Sequence, residues 1–218
     1  MWLLLAFISA TFLGFYDASK KASLKGNAVL PVLFLNTAFC TLIFSPVLLN
    51  QVFGWGWFGA EGAGQQSLEA HLLVVLKAFI VLTSWICGYF GLKHLPLTIV
   101  GPIDATRPVL VLVGAMLIFG ERLNLFQWIG VLLAIVSVFM MSRAGKKEDI
   151  DFKSNRWIWC VATATLMGAI SGLYDKFIMK SLNPMFVQSW FNLYQMVIMT
   201  AVCGILLYPK RHQTTPFH

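Results

Sequence analysis

Long apolar runs broken by short polar connections make up most of this chain, and about seven of them are long enough to be membrane helices. They cover approximately 1–18, 28–49, 71–92, 95–119, 124–142, 156–179 and 185–208. At 1.5 Å per residue, ~20 residues of α-helix cross a hydrocarbon core of ~30 Å. Strand-like alternation of apolar and polar positions does not recur. Two connections stand out: 50–70, which carries Trp55, Trp57 and several glycines, and 143–155, a mixed-charge run that reads as a linker between two units. The opening MWLLLAFISATFLGF has the apolar character of a signal peptide but no basic n-region and no small-x-small cleavage site, so it reads as a first transmembrane helix.

The polar residues inside these runs are the candidates for function. Asp104 and Arg107 lie near the middle of the fourth span, one helical turn apart and on one face. Each costs about 2.5–3.5 kcal/mol at the centre of a membrane helix, so the pair points to a polar cavity, where it would bind a charged substrate or couple a proton. The structural alternative is a buried ion pair that locks the helix between Pro102 and Pro108, where missing backbone donors loosen the ladder. Tyr16 and Asp17, followed by Lys20 and Lys21, lie ~24 Å along the first helix. They read as a helix end whose lysines reach headgroups or, more sharply, as a gate at one mouth of a cavity. Lys77 sits just inside the third span, where snorkelling explains it. Gln188, Asn192 and Gln195 form a stripe on the seventh span, for cavity lining or helix–helix hydrogen bonding. Trp157 and Trp159 begin the sixth span as belt residues do, and Trp85 and Trp190 fall near mid-span, to line a cavity or to pack.

Composition strengthens the membrane reading. Of 218 residues, 58% are hydrophobic and 11% charged, far from the roughly half-apolar, quarter-charged soluble average. The net charge of +7 does not indicate nucleic acid, because the basic residues sit in short connections rather than in a stripe interleaved with aromatics. Cys40, Cys87, Cys160 and Cys203 stand singly in apolar spans and read as core thiols, and the four histidines form no ligand pair, so neither a metal nor another cofactor is expected. H-E-x-x-H, G-x-S-x-G and P-loop patterns are all lacking, which argues against an enzyme and against ATP as the energy source.

The chain also resembles itself. Sliding it by about 158 positions places Gly14, Tyr16, Asp17, Ser23, Leu24 and Val29 on Gly172, Tyr174, Asp175, Ser181, Leu182 and Val187. Ala10 and Gly14 fall on Gly168 and Gly172, a small-residue spacing that lets helix backbones approach. With about five spans between the starts of the copies, the two must enter the membrane from opposite sides, as in inverted-topology transporters. Tyr174 and Asp175, with Lys176 and Lys180, then become a second candidate gate. If the first unit has about five helices, the second supplies only two, and the expectation is that the last three of about ten helices lie beyond His218.

The run HLPLTIVGPIDATRPVLVLVGAMLIFGERLNLFQWIGVLLAIVSVFMMS resembles the end of the first repeat of the EamA-like family in the drug/metabolite transporter superfamily. The resemblance is carried by Pro108, by Gly120 and Glu121 at the end of the fourth helix, and by Gln127 and Gly130 opening the fifth. Glu121 and Arg122 also read as a helix end that caps the next helix. The resemblance implies an all-α, polytopic membrane bundle of inverted five-helix repeats. Residues 1–142 would be the first repeat, 143–155 a charged linker and 156–218 the start of an incomplete second. It further implies transport of metabolites or other small molecules. Asp104 and Arg107 depart from the commoner pattern, which has small or apolar residues there, and so suggest a polar or charged ligand. The leading expectation is a secondary transporter of small polar metabolites working by alternating access, and the alternative is a non-transporting sensor or partner-dependent component. Expected partners are a small-molecule substrate and the bilayer, with proton coupling and a homodimer as open options. Counting basic residues, the links after spans one, three and five and the tail outweigh the opposite side. The positive-inside rule then places the N-terminus outside a plasma or inner membrane, whereas the resemblance would more usually imply a cytoplasmic N-terminus.

Overall fold

The computed structural model describes residues 2–54, 67–120, 122–145 and 155–207. Among the described residues there are eight helices and no strand: α1 (Trp2–Ser23), α2 (Val29–Phe53), α3 (Leu68–His94), α4 (Leu97–Asp104), α5 (Arg107–Phe119), α6 (Leu125–Gly145), α7 (Arg156–Ile178) and α8 (Pro184–Leu207). Among the described residues, five stretches, Val29–Phe53, Leu68–His94, Leu97–Phe119, Arg156–Ile178 and Pro184–Leu206, are long and apolar enough to cross a membrane. α1 and α6, of 22 and 21 residues, have matching length. The expectations for Trp55, Trp57, Glu121, most of the charged linker and the C-terminal tail lie outside the described residues.

Local sequence accounts for the helix ends. Ser67 caps α3 by accepting the Ala70 N–H at 3.3 Å, and Asn155 caps α7 by accepting that of Trp157 at 3.0 Å. Gly54 closes α2 and Gly120 closes α5 in the left-handed region, at φ of 67° and 64°, which glycine adopts without a Cβ penalty.

The fourth span is not the single helix expected from hydropathy. It bends at Ala105 and Thr106, and Asp104 and Arg107 flank the bend. Pro108 has no N–H to donate to Asp104, and its ring crowds the carbonyl four residues back. The ladder therefore shortens locally, with Thr106 N–H on Ile103 O at 3.1 Å, before Leu110 N–H resumes on Thr106 O at 3.1 Å.

α3 is the centre of the bundle, packed most extensively against α7 and also against α8, α2 and α4, while α2 pairs with α8, α5 with α7 and α4 with α6. Apolar burial gives little net drive between helices in lipid, so close backbone approach matters. Gly91 supplies it, since a methyl there would overlap the side chain of Val161, and Gly88 would bring its own to 3.6 Å from Ala164. Ser84 adds a hydrogen bond to Ala164 O at 2.7 Å.

Two apolar clusters fill the interior. One gathers Leu24, Leu33, Leu82, Leu92, Leu95 and Val161, the other Val74, Ala78, Ile178, Phe186 and Phe191, and Trp85 touches both. The four cysteines are free and half-buried, and Cys203 packs against the first cluster.

Side-chain contacts fix helix directions. At one end Lys93 donates to Asn27 O at 2.9 Å, Lys21 donates to Leu95 O at 2.7 Å and to Leu92 O, and His94 stacks on Trp157 at 3.6 Å. That end holds the close of α1 and α3 and the start of α2 and α7. At the other, Ser189 donates to Gln51 at 2.9 Å and Tyr174 to Leu73 O at 3.0 Å. α1 and α7 therefore run in opposite directions.

Candidate functional site

Asp104 and Arg107 meet across the bend between α4 and α5. Arg107 Nη2 stands 3.2 Å from Asp104 Oδ1, and the same oxygen accepts from Thr165 Oγ1 of α7 at 2.8 Å. The carboxylate and guanidinium side chains are 43% and 41% exposed, so this pair is accessible rather than sealed. Gly168 makes room for the guanidinium: a Cβ there would stand 2.6 Å from Arg107 Nε. One turn on, Gly172 would bring its Cβ to 3.4 Å from Val111. The small-residue spacing of α7 thus seats α5. Its counterpart Gly14 on α1 has nothing within 4 Å.

Lys77 overturns the snorkelling expectation. The residue is 3% exposed, and its ammonium lies 2.9 Å from Asp175 Oδ1 and 4.5 Å from the centre of the Phe191 ring. Asp175 sits near the end of α7 and turns inward, because a charge buried on α3 needs a counter-charge and α7 is the helix packed closest to it. The ammonium groups of Lys176 and Lys180 lie over the Phe119 ring, at 5.3 and 4.4 Å. Beside the pair, His71 shares a hydrogen bond with Tyr194 at 2.8 Å and packs edge-on to Trp190 at 4.6 Å. Trp190 is thus a packing residue. Nothing in the sequence joins Lys77 to Asp175, which are 98 positions apart; the second Tyr-Asp copy was the only signal at either.

The first Tyr-Asp copy lies at the opposite end of α3. Tyr16 and Tyr89 share a hydrogen bond at 3.3 Å, and the Lys20 ammonium sits 4.6 Å above the Tyr89 ring. Asp17 is half exposed and 3.9 Å from Lys20. Tyr16, Lys20 and Tyr89 border a cavity of about 290 Å³ between α1, α2 and α3, whose polar lining also includes Ser19, Ser23 and Asn36. Asp104 and Arg107 are not in that lining, although the Lys20 charge interacts with both.

On α8, Asn192 and Gln195 are buried and their amide NH₂ groups meet no partner among the described residues, while Gln188 is half-buried. The stripe enters the interior without meeting the Asp104 pair. Of the residues carrying the resemblance, Pro108 opens α5 and Gly120 ends it. Gln127 accepts the Asn124 N–H at 2.8 Å, as a capping box does at the head of α6. Gly130 faces open space, and Glu121 lies outside the described residues.

Comparison with known proteins agrees with the membrane architecture. The chain is 25% identical over 148 residues to an uncharacterized transporter of Archaeoglobus fulgidus, a match covering 67% of this chain and 50% of that protein. It is 28% identical over 112 residues to an uncharacterized transporter, in the cobO 3' region, of a Sinorhizobium species, covering 50% of this chain and 78% of the relative. The chain therefore spans about half the length of the archaeal relative it matches. The profile of the EamA-like transporter family matches residues 1–143. Together with its polytopic helical bundle, that match makes the chain a multi-pass membrane protein that belongs to the EamA-like transporter family.

Proposed function

We propose that this protein is a secondary transporter of small polar metabolites, working by alternating access between two inverted repeats whose first helices are α1 and α7. One observation carries the reading: the two Tyr-Asp copies engage opposite ends of α3. At one end Tyr174 and Asp175 hold Leu73 and Lys77. At the other, Tyr16 reaches Tyr89 across the border of a cavity while Asp17 stays half exposed. The closed contact is the gate on one face, and the cavity is the mouth on the other. Residues 1–142 and 156–218 are the two repeat units in this reading, joined by the charged segment 143–155.

The face that carries Lys21, Lys93 and Arg156 is assigned to the cytoplasm of a plasma or inner membrane, leaving the N-terminus outside. The cavity then opens inward. Tyr16, Ser19, Lys20, Ser23 and Asn36 supply the polar groups that a metabolite would meet at this mouth, and Asp104 and Arg107, outside that lining, are assigned to the path beyond it.

A second reading, a non-transporting component that works with a partner, is favoured by α1, which touches its neighbours chiefly through its last turns. Counterflow decides between them. Small polar metabolites are screened for thermal stabilisation of the purified protein, and the strongest stabiliser is loaded into proteoliposomes. Uptake of labelled compound driven by the unlabelled pool supports transport; stabilisation with no exchange supports the partner-dependent reading and ends the first.

A further inference from the structure

Two lysines at opposite ends of α3 each lie over an aromatic ring, and they differ in what else they meet. The Lys77 ammonium stands 4.5 Å from the centre of the Phe191 ring and 2.9 Å from Asp175 Oδ1, with its side chain 4% exposed. The Lys20 ammonium stands 4.6 Å from the centre of the Tyr89 ring and 5.5 Å from that of Tyr16, with its side chain 20% exposed. A ring face attracts a cation, but an ammonium still has three N–H groups to place. At Lys77 a carboxylate takes one of them. At Lys20 the nearest carboxylate oxygen, that of half-exposed Asp17, is 3.9 Å away, beyond hydrogen-bonding distance. No other acceptor among the described residues comes within that distance of the Lys20 ammonium.

Lys20 also lines the cavity between α1, α2 and α3, and among the described residues of that lining it alone carries a charge. The volume of about 290 Å³ lies at the lower end of the ~300–1,000 Å³ usual for small-molecule sites, so the occupant is small. Val32 and Leu35 give the cavity an apolar wall. Ser23 commits its hydrogen to Ser19 O at 2.7 Å, whereas the Ser19 hydroxyl has no partner among the described residues.

Resting on the reading of this cavity as the mouth of a transporter, we propose that it is a carboxylate site and that the substrate is a small organic monocarboxylate with an apolar body. The ligand carboxylate takes at Lys20 the place that Asp175 takes at Lys77. One of its oxygens accepts from the ammonium beside the Tyr89 ring, and the Ser19 hydroxyl is the donor for the other. The body rests against Val32 and Leu35. A phosphate ester is the poorer fit, because it carries more than one charge at neutral pH and the lining has neither a second cation nor an arginine fork to meet it. Nor does the lining hold a carboxylate to receive an amine. Asp17 and the ligand then compete for a single ammonium.

Fluorine NMR of the purified protein in nanodiscs of zwitterionic lipid tests this with two probe acids, para-fluorobenzoate and trifluorobutyrate. Each is set against its primary amide, which has nearly the same shape and no charge. Saturable line broadening is expected for at least one acid and for neither amide. Lys20→Gln should weaken acid binding by at least about tenfold, as losing the charged donor of a hydrogen bond does. Lys20→Arg should retain binding, and Asp17→Asn, which removes the competitor, should tighten it. Circular dichroism checks that each variant remains helical. Should Lys20→Gln lose its helix, Asp17→Asn decides: acid binding weaker than that of the wild type overturns the proposal. Acid and amide broadened alike, no broadening by either acid, or acid binding that a helical Lys20→Gln leaves unchanged would each overturn it too. Counterflow of another compound by a protein that binds neither acid leaves the transporter reading intact and sinks only this proposal. Acid binding without counterflow of that acid sinks the transporter reading and keeps the carboxylate site.

Discussion

Lys77 of α3 and Asp175 of α7 form an ion pair at 2.9 Å, with the lysine almost completely buried. The pair joins the two helices of most extensive contact at the end remote from the basic face. It places opposite charges where each alone would be costly.

Removing one charge should therefore hurt more than removing both. Breaking a fully buried pair costs ~3–5 kcal/mol, and the partial exposure of Asp175 brings the expectation for Lys77→Met to about 2 kcal/mol. Lys77→Met with Asp175→Asn should recover part of that loss. Thermal unfolding of the three variants in one detergent gives the comparison; a double variant no better than the worse single one would count against a stabilising pair.

Glycines of the same type should differ sharply in tolerance. Gly91→Val drives a side chain into Val161, and overpacking of this kind costs ~1–3 kcal/mol. Gly14→Ala meets nothing within 4 Å and should leave the melting temperature unchanged. Equal sensitivity of the two would contradict the α3–α7 contact.

The cavity can be probed from each side of the membrane. In a background lacking the four native cysteines, Ser19→Cys and Asn36→Cys should react with a membrane-impermeant maleimide added to the face bearing Lys21 and Arg156. Thr37→Cys, one residue along but buried, should stay unlabelled. Labelling from the opposite face alone would reverse the assigned mouth.

Once a transported compound is in hand, Asp104→Asn and Arg107→Gln should each lower counterflow at least tenfold at normal expression, about 1.4 kcal/mol or more of lost stabilisation. Wild-type exchange in either variant removes the pair from the transport path.

The α6 cap gives a milder test. Gln127→Ala withdraws the acceptor for the Asn124 N–H and should cost about 1 kcal/mol, read as a small fall in melting temperature with exchange intact.

Much of the bundle was legible because apolar run length and helix length are tied by the thickness of a bilayer. The spans at 28–49, 71–92, 156–179 and 185–208 all correspond to helices. The bend in the fourth span was less visible: hydropathy averages over Pro102 and Pro108, although the proline at 108 was a local warning. Asp104 and Arg107 could be paired from spacing, since i, i+3 contacts are local. Thr165 could not be joined to them, nor Lys77 to Asp175, because those contacts depend on which helices become neighbours. A lysine near a helix start has a cheap local explanation in snorkelling, and only the packing of α7 shows that it was the wrong one.

The close approach at Gly91 has a mechanical consequence. It seats the Val161 side chain of α7 directly on the α3 backbone near the basic end, whereas Lys77 and Asp175 meet through side chains, 14 residues away. With a rise of 1.5 Å per residue, that separation is a lever of about 21 Å. A tilt of about 10° around Gly91 would carry the far end of the lever about 4 Å, enough to part the ammonium from the carboxylate while the glycine contact stays closed. The fulcrum and the latch of this helix pair are therefore different residues, and only the latch carries charge.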